Sequence, residues 1–345
     1  MAQHEGVEAD LLVVGGGPVG LGTAIEASLA GMRVAVLEKR DGPVDKACGE
    51  GLMPAARASL DRLGVTVRGR EFTGIRYRTP DREATALFRR GAGLGVRRLE
   101  LSAALAGRAD ERGVTRLAVA AGPVRVDGDR VEAGGVRARW LVAADGLHSP
   151  VRRSLGLQGA APGVPRYGLR RHFAVEPWSD LVEVHWSRDA EAYVTPVSDG
   201  VVGVAVLCPG GRSYEGWLED FPELRERLRG AQPAGTVRGA GPLRQRANAR
   251  VHGPVLLVGD AAGYVDALTG EGLSVGLACA RELVRCVVDG RPQDYERAWR
   301  RTTRRYRLLT GGLLWAAQRP AVRRTIVPAA QRAPALFGQI VDQLG

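Results

Sequence analysis

The segment ADLLVVGGGPVGLGTAIEASLAGMRVAVLEKR, residues 9–40, limits the fold of this chain more than any other stretch. Asp10–Val14 reads as a short buried strand, Gly15-x-Gly17-x-x-Gly20 as a tight turn, Pro18–Leu29 as a helix and Arg33–Leu37 as a second strand ending at Glu38. Strands joined by a helix in this way run parallel, which commits the N-terminal part to an α/β fold of Rossmann type. The glycines let the backbone close on a pyrophosphate at the helix N-terminus, where free N–H groups and the helix dipole favour negative charge. Glu38, eighteen residues beyond Gly20, is spaced to accept hydrogen bonds from a ribose diol. Gly15, Gly17, Pro18, Val19, Gly20, Glu38 and Lys39 are therefore the first candidate contacts to a dinucleotide. NAD, NADP and FAD all remain open on this motif alone.

A second glycine-rich stretch, VHGPVLLVGDAAGYVDALTGEGLSVGLACA at residues 251–280, narrows the choice. The apolar strand Pro254–Val258 runs into Gly259-Asp260, and Gly270-Glu271-Gly272 opens a helix that begins Gly272-Leu273. Asp260 is a candidate acceptor for a ribityl chain, and the positive end of the helix suits the negative N1–C2=O region of a reduced flavin. A nicotinamide dehydrogenase has no use for this second site. Between the two motifs lies RWLVAADGLHSPVRR, residues 139–153, a strand ending at Asp145-Gly146 with Ser149 and Arg152 behind it.

GGGPVG, RRLELSAAL at residues 97–105, AADGLHSPVRR and GDAAGYVDALTGEGL follow the order and spacing of the large FAD-dependent oxidoreductase superfamily of aromatic hydroxylases, flavin halogenases and geranylgeranyl reductases. The chain resembles that superfamily over about residues 7–290. The resemblance implies non-covalent FAD, with Arg98 along its phosphate–ribose portion, Asp145 and Gly146 near the pyrophosphate and Asp260 on the ribityl chain. DKACGEGLMP, residues 45–54, together with Gly263 where aromatic hydroxylases usually carry histidine, is similar to the geranylgeranyl-reductase branch. In that branch the cysteine–glycine segment, here Cys48 and Gly49, lines the flavin and substrate cavity. A thiol there could give a proton to a reduced product or serve as a small apolar wall. Glu50 is a second candidate donor, and Tyr193 is the catalytic candidate from the substrate side.

The chain departs from that branch at EAYVTP, where Glu191, Tyr193 and Thr195 stand at the three positions of an aromatic-rich strand, and at Ala267 in place of proline. A more polar cavity and a smaller or functionalised substrate are expected from these changes. No W-x-W-x-I-P stretch appears, which disfavours halogenation.

The remaining segments fit around the motifs. Glu71–Thr79 and Ala84–Arg89 read as a strand pair, Leu99–Arg112 as a helix, and residues 160–245 as alternating strands forming a mainly antiparallel sheet. The expected organisation is a discontinuous FAD-binding unit (1–70, 95–158 and 245–290), an inserted substrate unit (71–94 and 159–244) and a helical tail (291–345). His172 and His185 each sit alone in a strand pattern and read as structural. In the tail, Tyr295, Trp299, Thr302, Tyr306 and Leu309 recur at helical spacing, and Gly311-Gly312 is expected to break the helix.

Of the 49 basic residues all but Lys39 and Lys46 are arginine, and the net charge is +11. No helix-turn-helix, zinc spacing or basic-aromatic stripe accompanies that charge, so nucleic acid is set aside as a partner and no metal site is expected. A cytoplasmic protein is expected, since no basic leader and no long apolar run occurs. The basic tail reads first as a solvated face and second as a weak peripheral membrane contact. A non-catalytic flavin or lipid carrier is disfavoured by the three-part FAD site, and two reactions are consistent with these features. One is a flavin-dependent reduction or dehydrogenation of a hydrophobic or natural-product small molecule. The other is monooxygenation of an aromatic or polyketide-like substrate through a flavin C4a-hydroperoxide. NAD(P)H docking transiently, or another reductant, would supply electrons; oligomeric state is not encoded legibly.

Overall fold

The computed structural model describes residues 7–161 and 163–344. The first six residues, at the start of the expected FAD-binding unit, and residues 162 and 345 lie outside that description. Val7–Val14 forms the centre of a parallel sheet, flanked by Val34–Leu37 and Val136–Ala143, with Thr115–Leu117 and Val255–Leu257 beyond them. Antiparallel strands Arg125–Asp127 and Arg130–Ala133 hang from Val136–Ala143. The central strands read as continuous Val, Leu and Ala because helices cover both faces. Leu11, Leu12, Val13, Leu141 and Val142 are fully buried there with Ile25, Leu105 and Leu283 of the covering helices.

The helix Pro18–Leu29 has proline at its first turn and Gly17 before it, with no side chain capping its N–H groups. Those donors stay available to a ligand. The helices Arg98–Glu111 and Gly272–Val288 also begin at the carboxyl end of the parallel strands, so three N-termini converge on one edge.

The second large sheet is mainly antiparallel, with Tyr167–Ala174, Val201–Cys208, Glu191–Ser198 and Leu181–Trp186 in spatial order. It continues through Gly74–Thr79, which pairs in parallel with Leu181–Trp186, to Arg82–Leu87. The segment expected as one strand over Glu71–Thr79 is two. Arg70–Phe72 joins Gly51–Leu52 and Gly93–Gly95 in a separate small sheet. The chain changes sheets at Gly74, where a Cβ would lie 2.2 Å from the Ala86 carbonyl oxygen.

The tail departs from its expected form in two ways. The helix Asp294–Ala317 runs through Gly311 and Gly312 without a break. Each glycine costs about 1 kcal/mol relative to alanine, and burial of Thr310, Leu314 and Ala317 on the same helix offsets it. The inward residues are Thr303 and Thr310 in place of Thr302 and Leu309. Thr303 Oγ1 donates to the Trp299 carbonyl at 2.9 Å, and the Thr310 and Thr269 hydroxyls bond to each other at 2.9 Å. With their hydroxyls satisfied, threonines occupy a face that hydropathy alone assigns to leucine. Beyond it, Val327, Phe337 and Val341 pack with Tyr77 and Trp186 against the second sheet.

Candidate functional site

The glycine turn is tight because side chains cannot fit. A Cβ on Gly20 would lie 1.9 Å from the Gly15 carbonyl oxygen, and one on Gly15, whose φ is +111°, would lie 2.4 Å from that of Ala144. Gly17 is different: its nearest neighbour is an Arg98 guanidinium nitrogen 4.0 Å away, and Gly49 faces open space. Gly16 matters too, although the spacing motif treats it as any residue. Its N–H donates to Glu38 Oε2 at 3.0 Å, while Glu38 Oε1 accepts from Arg40 Nε at 2.8 Å. Burial would raise the Glu38 carboxyl, but these bonds hold it below its ordinary range.

Lys46, not the exposed Lys39, enters this region. A Cβ on Gly146 would lie 3.1 Å from Lys46 Nζ. Burial lowers the Lys46 ammonium pKa, and the charges of Arg40 and Arg98 lower it further. Three cations thus crowd the glycine turn, where one pyrophosphate would relieve them. Burial raises the Asp260 carboxyl against Lys46, Arg98 and Arg152. Arg152, fully buried, fixes the Gly259-Asp260 turn by donating to the Asp260 and Ala261 carbonyls at 3.2 and 2.9 Å and to the Leu147 carbonyl at 2.6 Å. Ser149 caps the Arg152 N–H at 2.9 Å, and Asp145 Oδ2 accepts from the Val151 N–H at 3.1 Å. Val19 packs against Gly259 and Gly276, so its role is to set the spacing of two glycine segments.

Several buried polar atoms around this edge have no partner among the described residues: Arg98 Nε, Asp145 Oδ1, Glu271 Oε2 and Ser274 Oγ. Orphaned buried polar atoms are costly, and a ligand with phosphate, hydroxyl and amide groups would satisfy atoms of these types. With the open Gly17 and Gly49 surfaces, the residues present fit FAD. Glu271 and Gly272 lie at the start of the Gly272–Val288 helix, and burial pushes the Glu271 carboxyl up to about 7.

Cys48 sits at the meeting of the two halves. The Glu50 N–H donates to its sulfur at 3.4 Å, and Glu50 adopts a left-handed φ of 59°, rare for a residue with a side chain. Its carboxylate explains why it stays there. Oε1 accepts from the Arg98 N–H at 2.8 Å, supplying the missing cap of the Arg98–Glu111 helix, and Oε2 bonds His172 Nε2 at 2.6 Å. Thr195 adds a bond to the Gly49 carbonyl at 2.8 Å.

His172 is therefore not the isolated strand residue that the sequence pattern indicates. Arg170 approaches its Nδ1 at 3.1 Å and donates to Asp45 Oδ1 at 2.6 Å. A guanidinium only donates, so Nδ1 is the acceptor and the Nε2–H points at Glu50. His185 bonds Glu183 Oε2 at 3.1 Å, away from this cluster.

The three polar residues of EAYVTP do not create a polar cavity. Glu191 is fully buried between Arg166 at 2.6 Å and Arg323, and Arg166 also bonds Asp266 at 3.0 Å. Burial raises the Tyr193 phenol, whose hydroxyl donates to the Leu268 carbonyl at 2.9 Å. Thr195 is spent on Gly49. Every polar group that suggested a functionalised substrate is bonded within the protein.

Comparison with known proteins agrees with this geometry. The menaquinone reductase of Mycolicibacterium smegmatis is 30% identical, covering 84% of this chain and 79% of that protein. The rifampicin monooxygenase of Streptomyces venezuelae is 31% identical, covering 79% and 63%. Digeranylgeranylglycerophospholipid reductase 2 of Methanopyrus kandleri is 29% identical, covering 80% and 76%. In fold alone, the chain is similar to a geranylgeranyl bacteriochlorophyll reductase-like protein from Thermoplasma acidophilum, with a TM-score of 0.80, 21% identity and 94% and 91% covered. A flavin-dependent brominase superposes with a TM-score of 0.80 at 20% identity, covering 98% and 93%. The FAD binding domain family model matches residues 8–288, and on that match the chain belongs to this family of flavoproteins and is an FAD-dependent oxidoreductase.

Proposed function

We propose that this protein is a geranylgeranyl-reductase-like enzyme that uses reduced FAD to saturate a carbon–carbon double bond in a hydrophobic, prenyl-bearing small molecule. The observation that carries the reading is the Glu50 clamp. The Glu50 carboxylate holds the Arg98 helix and His172 together, and the Glu50 backbone N–H donates to the Cys48 sulfur. Bound and reduced, FAD supplies a hydride to one alkene carbon, and NAD(P)H or another reductant restores it. The second alkene carbon needs a proton. The Cys48 S–H is the proposed source, the Glu50 N–H would stabilise the thiolate left behind, and water returns the proton. Arg98, Lys46, Gly146 and the Gly15–Gly20 turn would hold the phosphates, with Asp145 fixing the strand-end turn beside them, Glu38 the ribose and Asp260 the ribityl chain. Gly270, Gly272 and Leu273 would edge the ring system.

The relatives named menaquinone reductase and digeranylgeranylglycerophospholipid reductase support the prenyl-bearing class, as does the internal bonding of Glu191, Tyr193 and Thr195. The relative named rifampicin monooxygenase favours a second reading, oxygen insertion into an aromatic or polyketide-like molecule.

The test is single-turnover kinetics. Protein reduced by dithionite under nitrogen is mixed with menaquinone, return of the oxidised flavin absorbance is followed, and the product mass is measured after its quinone head group is reoxidised in air, so that only side-chain saturation is counted. Reoxidation should occur without oxygen, and Cys48→Ser and Cys48→Ala should retain FAD while slowing it by about 10²–10⁴-fold. No anaerobic reoxidation would count against the reaction. Rates within about threefold of wild type in both variants would make the sulfur a wall and not a donor.

A further inference from the structure

The cofactor site leaves one large surface unused, the outer face of the C-terminal helices. Between Glu296 and Asp342 the sequence holds ten arginines and no aspartate or glutamate. All of these arginines except Arg323 are exposed. On the same helices large apolar side chains also face outward: Leu308 is 66% exposed, Trp315 53%, Leu336 57% and Ile340 39%. Exposed apolar side chains set among arginines on one basic segment suit a lipid interface better than bulk water.

These side chains fall in two pairs. Leu308 and Trp315 are two helical turns apart on one face of Asp294–Ala317, and Leu336 and Ile340 are one turn apart on Pro334–Leu344. Arg305 donates to the Gln343 carbonyl, a tie between the two helices near the end of Pro334–Leu344. The Arg319 guanidinium lies over the Trp315 ring at 4.1 Å, and Arg304 shares the Leu308 face. The opposite faces of both helices bury Leu314, Phe337 and Val341 against the second sheet. Arg323 fastens the tail through Glu191 and the Ala190 carbonyl, the latter at 2.6 Å. The face is thus rigidly part of the body.

We propose that this surface docks on an anionic lipid bilayer, with Leu308, Trp315, Leu336 and Ile340 entering the interface and the arginines meeting lipid phosphates. Charge complementarity selects an anionic partner, and the apolar side chains select lipid over a polyanion in solution, which would gain little from them. Tryptophan with its ring apolar and its edge wet suits the headgroup depth. Contact is peripheral, since no described helix is long and apolar enough to cross a membrane. The proposal does not depend on which reaction the flavin site performs.

FAD-loaded full-length protein is floated with vesicles of phosphatidylglycerol mixed with phosphatidylcholine and with vesicles of phosphatidylcholine alone. Partition should be at least about tenfold stronger on the anionic vesicles and weaken with salt. The double variant Leu308→Asp/Trp315→Ser should lower it by about tenfold or more with flavin content unchanged. Should that variant misfold, brominated phospholipids provide the second measurement. They should quench wild-type tryptophan emission and leave Trp315→Phe emission nearly unaltered. Equal weak partition to both vesicle types would overturn the proposal. So would anionic binding that ignores the double variant and is competed by heparin, the signature of a simple polyanion surface.

Discussion

Glu50 shows how a residue can be legible in kind and not in role. DKACGEGLMP makes it a candidate proton donor, yet folded it spends both carboxylate oxygens on the Arg98 N–H and His172. Sequence supplies residue identity and spacing; His172 is 122 positions away, and only the tertiary fold joins them. Lys46 was hidden for the same reason, because Gly146 and Asp260 approach it from distant segments. Asp260 is a candidate that local sequence alone can name, since a strand-ending Gly-Asp before a glycine turn has a local meaning. Asp260→Ala should weaken FAD binding by about 1.5–3 kcal/mol, the size of a charge-assisted hydrogen bond, as read by flavin fluorescence titration. An unchanged dissociation constant would remove it from the site. Glu271 gives a pH signature. Its folded pKa of about 7 exceeds the reference 4.5, so below pH 4.5 both states hold the proton and stability is fully present. Between 4.5 and 7 the unfolded chain loses its proton first, and stability falls as pH rises. In FAD-free protein, Glu271→Gln should flatten that decline by up to about 3 kcal/mol in denaturant titrations across the window. Parallel curves for the two proteins would contradict it.

Elements with one strong period were readable, and those needing a partner were not. Pro18–Leu29 forms over the residues its pattern indicates, because proline at the first turn and a run of small and apolar residues act locally. Asp294–Ala317 was misread at Gly311 and Gly312 because burial of its inner face outweighs propensity. The break at Thr73 was invisible because it depends on Gly74 nesting against Ala86 of the neighbouring strand. The glycine turn separates two roles that the motif merges. Gly20→Ala drives Cβ into backbone 1.9 Å away, where no side chain can yield. It should cost about 3 kcal/mol and lower the melting temperature of FAD-free protein. Gly17→Ala has only Arg98 at 4.0 Å, so FAD-free stability should change by less than about 0.5 kcal/mol while FAD affinity falls. Equal losses of stability in the two variants would show that Gly17 also builds the turn.

At the scale of the molecule, the parallel sheet was legible because its strands announce themselves with glycine turns and helices. The second sheet was legible only as strands. Its parallel pairing of Gly74–Thr79 with Leu181–Trp186 joins segments about a hundred residues apart, which no local pattern records. That pairing, the Glu50 clamp and the buried Asp266–Arg166–Glu191–Arg323 chain bind the parallel sheet, the antiparallel sheet and the tail into one body. The central claim is that this body adds hydrogen across a carbon–carbon double bond. Mass spectrometry of the product from menaquinone and reduced protein tests it most directly, with parallel reactions under nitrogen and in air. The account predicts a product that stays heavier by two hydrogens after its quinone head group has been reoxidised in air, formed under nitrogen as well as in air; a mass that returns to that of menaquinone would show quinone reduction alone. A product heavier by one oxygen, formed only in air, would contradict it.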